Sequence, residues 1–284
     1  MTRWVEETLH PHWRCSLMAD RILYENRTEH QHLVIFDNAT FGRVMMLDGV
    51  VQLTTKDEFI YHEMMAHVPL FSLGSEHAKR VLVIGGGDGG VMREVLKHKS
   101  VERVVLCEID STVVDLSKEF LPEISQGAFD DPRAEVIIAD GVRYVADTPE
   151  RFDAIIVDST EPVGPAAVLF TREFFEGCSR CLNQPGVLVT QNGLPFMHPD
   201  HLTGTMALFK SIFADYATYL CDQPTYFGGP FALAWAANDG AIRAVPADVI
   251  AERQKASGID TRYYTPEVHK AAFALPAYVA KLCP

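Results

Sequence analysis

The pattern of apolar and polar positions changes character near residue 60. Before it, short apolar runs (33–36, 43–47 and 50–54) are separated by turn residues: Asp37-Asn38 and Gly42 after the first, Asp48-Gly49 between the other two. An Asp-Gly pair between two apolar runs predicts a hairpin, because both central positions of so tight a turn must reach positive φ. This segment is expected to form a small antiparallel sheet. From about Asp57 the texture becomes helical, with Ile60, Met64 and Val68 on one face at i, i+4 and i+8. Farther on, strand-length apolar runs at 81–84, 104–107, 136–138, 154–157 and 187–190 alternate with helical patterns, among them 91–98 and a helix ending at Phe120. That alternation predicts a mostly parallel sheet wrapped by helices. The expected architecture is therefore α/β: an N-terminal antiparallel β-domain over residues 1–62 and a Rossmann-like catalytic domain over 63–284.

The residues just past each strand carry the chemistry. Ile84 leads into Gly85-Gly86-Gly87-Asp88-Gly89-Gly90, Cys107 into Glu108, Ile138 through Ala139 to Asp140, Val157 into Asp158, and Thr190 into Gln191. Ligands of open parallel sheets bind at the carboxyl ends of the strands. One acid in such a place is more simply a helix cap. A glycine loop, three further acids and an amide delivered to one rim point to a binding site.

Composition narrows the ligand. Hydrophobic residues are 48% and charged residues 22%, which describes an ordinary globular chain. Against 25 Lys and Arg stand 38 Asp and Glu, a net charge of −13. Such a surface repels phosphate, so neither nucleic acid nor an anionic membrane is an expected partner, whereas a cationic substrate is tolerated. No apolar run approaches the ~20 residues of a membrane span. Residues 1–12 lack the basic start and apolar stretch of a signal peptide. With six irregularly spaced cysteines, this places the protein in the cytoplasm with its thiols reduced. Cys178 and Cys181 lie in an apolar helical pattern with no second pair to complete a zinc site, and read as packing, as does Trp235 in a late apolar strand. The pairs His10/His12 and His30/His32 alternate as surface strand residues would, so no metal site is expected.

Gly85, Gly87 and Gly90 satisfy GxGxxG, and Glu108 lies about twenty residues on, as in a dinucleotide fingerprint. S-adenosylmethionine-type transferases use a similar strand, glycine loop and helix, with an acid accepting two hydrogen bonds from the ribose diol. Asp88 separates the two readings. It would repel a pyrophosphate seated over the loop and favour a positive group instead. Asp140-Gly141 offers an acceptor for the adenine amino group. A second constellation, Asp158-Ser159-Thr160-Glu161-Pro162-Val163-Gly164-Pro165, holds two carboxylates in a constrained loop. This suits an amine that must lose a proton before it attacks.

In these residues the chain resembles the spermidine synthases, the polyamine aminopropyltransferases, over nearly its whole length, most closely those of the enterobacterial type. The likeness runs through Leu47-Asp48-Gly49-Val50-Val51-Gln52, Asp57-Glu58-Phe59-Ile60-Tyr61-His62-Glu63-Met64, the glycine loop, Cys107-Glu108-Ile109-Asp110, Asp140-Gly141, the loop from Asp158, Pro224-Thr225-Tyr226, and Ala272-Phe273-Ala274-Leu275-Pro276. The resemblance implies transfer of an aminopropyl group from decarboxylated S-adenosylmethionine, a co-substrate rather than a cofactor, to putrescine. The products are spermidine and methylthioadenosine. It implies donor binding by Gln31, Gly85, Asp88, Glu108, Asp140 and Gly141, with Asp88 holding the donor's ammonium. Asp158 is the implied general base, aided by Tyr61. Gln52, His62, Glu161, Gln191 and Tyr226 are implied at the acceptor. Glu161 departs from the Asp often found in the family, which bears on pocket length. A homodimer is also implied. The alternatives are an amine N-methyltransferase on the same fold, an NAD-dependent oxidoreductase resting on GxGxxG, and a catalytically idle polyamine-binding protein.

Overall fold

The computed structural model describes residues 3–162 and 164–283; Val163, inside the expected acidic loop, lies outside the described residues. The chain begins with a two-stranded antiparallel ribbon of β1 (Arg3–Glu6) and β2 (Ser16–Ala19). A four-stranded antiparallel sheet comes next, of β3 (Arg21–Arg27), β4 (His32–Asn38), β5 (Gly42–Leu47) and β6 (Val50–Thr54), in the order β3-β4-β5-β6. The predicted hairpin turn is present, with Asp48 at φ 46° and Gly49 at φ 77°. Two small sheets thus replace the single one expected. β1 and β3 escape the apolar pattern because they carry Arg, Glu and Asn on exposed faces, and the β3 pairing is interrupted by a register shift between Ile22 and Tyr24.

The first helix, α1 (Glu58–Leu73), has no polar face. Apart from Phe59 every residue in it is buried, because it packs against both helices and strands of the larger layer system. Its polar side chains are paired internally, as burial requires. Glu63 accepts the backbone N–H groups of Arg262, Tyr263 and Tyr264, each at 2.8 Å, and His67 meets Glu94 at 3.0 Å.

The larger sheet is built by β7 (Arg80–Gly85), α2 (Gly90–Lys97), β8 (Arg103–Glu108), α3 (Ser111–Phe120), α4 (Pro122–Ser125), β9 (Ala134–Ile138), α5 (Gly141–Asp147), β10 (Phe152–Asp158), α6 (Arg172–Cys181), β11 (Leu182–Gln191), α7 (Pro199–Ile212), β12 (Asp215–Cys221) and β13 (Phe231–Ala237). Three helices close the chain: α8 (Ala247–Ser257), α9 (Pro266–Ala272) and α10 (Ala277–Ala280). The strand order is β12-β13-β11-β10-β7-β8-β9. From β11 to β9 the pairings are parallel, and β13 pairs antiparallel with both β11 and the edge strand β12. α1, α2, α8 and α9 cover one face, and α5, α6, α7 and α10 the other. Cys178 and Cys181 are buried in the second layer, and Trp235 is fully buried with Nε1 donating to Asp215 at 3.1 Å. The small sheet packs one face on α3 and α4.

Chain direction reverses between β7 and β10. After β7 the chain adds β8 and β9 on one side, then crosses back to lay β10 and β11 on the other. The crevice outside such a switch point is where open α/β sheets bind ligands. Here its two lips are Gly85 and Asp158, register partners at the ends of β7 and β10.

His10 does not lie on the surface. It closes a bridge with Trp13 rather than extending a strand, and its ring lies 4.8 Å from that of His198. The His–Trp stack and the α7 contact bury it to 7% exposure.

Candidate active site

A cavity of about 620 Å³ opens at this rim, within the range of small-molecule sites. Its floor is the carboxyl ends of the parallel strands and its opposite wall the small sheet, through Gln31, Leu47 and Gln52. All the residues singled out as catalytic, donor-binding or acceptor-binding line it.

The two lips are held together by the main chain. Gly86 N–H donates to the Asp158 carbonyl at 2.8 Å. Gly85 has φ 78°, and a Cβ there would lie 2.1 Å from that same carbonyl oxygen. The glycine is thus required by the neighbouring strand itself, and it fixes where the Asp158 carboxylate emerges.

Tyr61, on α1, donates its hydroxyl to Asp158 Oδ1 at 2.8 Å. Asp158 Oδ2 is buried and has no hydrogen-bond partner. Burial, then the charge of Asp88, pushes the Asp158 carboxyl up to about 7, against the opposing influence of His62 and the Tyr61 hydrogen bond. Asp88 Oδ1 accepts from Gly90 N–H at 2.7 Å and lies 3.5 Å from His62 Nε2. The other ring nitrogen of His62 meets Glu58 Oε2 at 2.5 Å, and Glu58 pairs with Arg93 at 2.9 Å. Burial alone would lower the His62 value, but Asp88 and Glu58 outweigh it and raise it to about 9. A buried imidazolium therefore stands beside Asp88, so His62, expected at the acceptor, contacts the residue expected to hold the donor. The Glu58–Arg93 pair behind it was not legible in the sequence, since its members lie 35 positions apart on different helices.

At the other side of the glycine loop, Glu108 is buried and accepts from Asp110 N–H at 3.0 Å; burial raises its carboxyl to about 7. Gln31 donates to Asp110 Oδ2 at 3.2 Å, so it reaches the cavity as part of a bridge between the two sheets. Asp140 caps α5 by accepting from Val142 N–H at 2.8 Å while also lining the cavity, with Gly141 beside it.

In the acidic loop, Glu161 Oε2 is buried without a partner, and burial, then the charge of Glu7, raises its carboxyl to about 7. Gln191 pins this loop: its amide donates to the Thr160 carbonyl at 2.9 Å and its oxygen accepts from Gly193 N–H at 3.0 Å. Tyr226 donates to the Gln52 main-chain carbonyl, and its ring lies 6.0 Å from Tyr61 and 4.9 Å from Phe231. It is both a turn residue, through its N–H to Gln223, and a wall. The Gln52 side chain turns back to the Val50 carbonyl at 3.2 Å. Acids converge in one cavity, and Asp158, Glu108 and Glu161 are raised toward neutrality by burial. Such a site is completed by a ligand bringing positive charge.

Comparisons with known proteins agree with this geometry. Residues 58–245 match the spermine/spermidine synthase domain, and residues 3–55 match the spermidine synthase tetramerisation domain. Polyamine aminopropyltransferase 1 of Pseudomonas aeruginosa is 55% identical over 96% of this chain and 95% of its own. The polyamine aminopropyltransferase of Ruegeria sp. is 54% identical over 99% and 98%. A crystal structure of spermidine synthase in complex with the transition-state analogue AdoDATO superposes with a TM-score of 0.93 at 37% identity, covering 100% of this chain and 96% of that one. The spermidine synthase of Thermotoga maritima gives 0.89 at 36% identity, covering 100% and 95%. With the family domain spanning the whole rim from α1 to beyond β13, and relatives this similar along their full length, the chain belongs to the spermine/spermidine synthase family.

Proposed function

We propose that this protein transfers the aminopropyl group of decarboxylated S-adenosylmethionine to putrescine, giving spermidine and methylthioadenosine. The observation that carries the reading is the unpartnered Oδ2 of Asp158, raised to about 7, in the same cavity as Asp88. Glu108 and Gln31 hold the ribose side of the donor, Asp140 and Gly141 its adenine, and Asp88 its propyl ammonium, beside Gly85. The diamine's far ammonium is anchored by Glu161 and Gln191, with Tyr226 and Gln52 as walls. Asp158 Oδ2 takes a proton from the near ammonium. A carboxylate whose value lies near 7 is basic enough for this and still about half ionised at neutral pH. The freed amine attacks the methylene next to the sulfonium, the carbon–sulfur bond breaks, and its electron pair leaves with methylthioadenosine. Holding both reactants in line supplies much of the acceleration.

Asp88 in the glycine loop disfavours a pyrophosphate-bearing cofactor. The carboxylate that S-adenosylmethionine retains would face the same acids, which disfavours methyl transfer from it. Incubating the full chain with putrescine and either donor, then weighing the amine product, tests the reading. A product heavier by one aminopropyl unit is expected with the decarboxylated donor, and a methylated amine would overturn it. The protein works as an oligomer built on a homodimer, in the cytoplasm. None of its six cysteines is bridged, and no helix among the described residues is long and apolar enough to cross a membrane.

A further inference from the structure

We infer that Glu161, His198 and His201 form a binding site for a zinc-class divalent metal ion at the acceptor end of the cavity. His198 is the N-cap of α7 and His201 lies in its first turn, so at i and i+3 both imidazoles project to one side. They are separated from Glu161 by 37 and 40 positions and are brought to it by the turn after β11. Glu161 Oε2, His198 Nδ1 and His201 Nδ1 are each buried, and none has a hydrogen-bond partner. One ligand atom from each residue lies within 4.8 Å of the others. A carboxylate and two imidazoles thus converge, each with a buried atom left without a partner, an arrangement that a cation resolves.

The donor set selects the kind of cation. Two imidazoles and one carboxylate suit Zn²⁺ and its neighbours, whereas Mg²⁺ and Ca²⁺ prefer oxygen throughout. Bonds of about 2.0–2.2 Å to one ion are compatible with donor atoms that already lie within 4.8 Å of one another. His10, whose Nε2 is also buried and unpartnered, flanks the group with its ring 4.8 Å from that of His198. The partial positive charge at the α7 N-terminus opposes a cation, and Glu161 with neighbouring Glu7 opposes that effect. One consequence rests on the proposed function: a metal on Glu161 occupies the carboxylate that anchors the diamine, so metal and putrescine compete.

The test uses Co²⁺ as the probe on the substrate-free full chain. Wild type is expected to develop the visible bands of tetrahedral Co²⁺, saturating at one equivalent and bleached by Zn²⁺. His201→Gln and His198→Gln, folded by circular dichroism, are expected to lose at least ~10-fold in affinity, the lower range for disturbing a metal site. Zn²⁺ is expected to raise the apparent KM for putrescine in wild type and not in His201→Gln, whose metal-free kcat is unchanged. No Co²⁺ spectrum in wild type, or equal affinity in both variants, overturns the site. If the variants keep Co²⁺ affinity yet raise the putrescine KM in metal-free buffer, the imidazoles serve the diamine's ammonium and the metal site is likewise overturned. Zn²⁺ inhibition that putrescine does not relieve overturns the competition. The Co²⁺ titration stays readable even if the chain transfers no aminopropyl group, so the two readings fail separately.

Discussion

Tyr61 and Asp158 stand 97 positions apart in the chain, and the phenol donates to the carboxylate at 2.8 Å. Burial, then the charge of Asp158, raises the Tyr61 value well above its ordinary one, so the ring remains a proton donor throughout the working range. The hydrogen bond engages Oδ1 alone and leaves Oδ2 for a ligand. Tyr61 therefore aims the carboxylate and tempers its basicity, and in the proposed function it does not itself take the proton.

Asp158→Asn keeps the shape of the side chain and removes its basicity. Turnover is expected to fall by ~10²–10⁴, the range for losing a general base. Donor affinity, measured by calorimetry, should stay near wild type. Turnover that survives the change would move the base to another group.

Tyr61→Phe removes a hydrogen bond that favours the ionised form of Asp158. The acid limb of kcat/KM, expected near pH 7 in wild type, should therefore move to higher pH in the variant. An unshifted limb in the pH–rate profile would show that another group controls it.

Asp158, Glu108 and Glu161 share folded values of about 7, above their unfolded ones. Groups raised in this way contribute stability that is complete below the unfolded value and lost as pH rises through the folded one. In the ligand-free protein their contribution should fade between about pH 4 and pH 7. A cationic ligand favours the ionised carboxylates, so the rise in melting temperature on adding putrescine and donor should be larger at about pH 8 than at about pH 6. Thermal shifts at the two values check the sign; a larger rise at the lower pH would contradict it.

Gly85→Ala should injure both stability and chemistry. The added Cβ meets the Asp158 carbonyl, and the left-handed backbone adds its own strain of ~1–3 kcal/mol. Denaturant unfolding should show a lowered midpoint, and the folded fraction a reduced kcat. Full activity per folded molecule would mean that the Asp158 position tolerates movement of the strand end.

Glu161→Asp shortens the side chain by one methylene. If Glu161 gauges acceptor length, the preference for putrescine over cadaverine should relax by an amount within the ~1–3 kcal/mol that a methylene is worth. Competing the two diamines on both proteins reads the ratio of specificity constants, and an unchanged ratio removes Glu161 from that role.

The rim is legible in the sequence because strands buried on both faces read as unbroken apolar runs, so the first polar residue after each run marks a carboxyl end. Glu108, Asp140, Asp158 and Gln191 are placed in this way without any distance. Pairing at long range leaves no such mark. Glu58 and Arg93 look like ordinary helix charges until α1 is found buried nearly all round. His10 reads as a surface residue because one of the ring contacts that bury it is to His198, which lies far along the chain. The i, i+3 spacing of His198 and His201 is visible in the chain, but the turn that unites them with Glu161 is tertiary.

The small sheet supplies no reacting group, yet it closes the cavity opposite the parallel strands through Gln31, Leu47 and Gln52. The workplace of the reaction is thus shared property, owned outright by neither sheet. A chain stripped of its first 55 residues would keep all its chemically active acids and present them in an open bowl, bathed in the solvent that makes buried carboxylates ordinary ones. Deletion studies would then score the N-terminal segment as essential to catalysis, although what it contributes is enclosure and, in the proposed function, the hold of Gln31 on the donor.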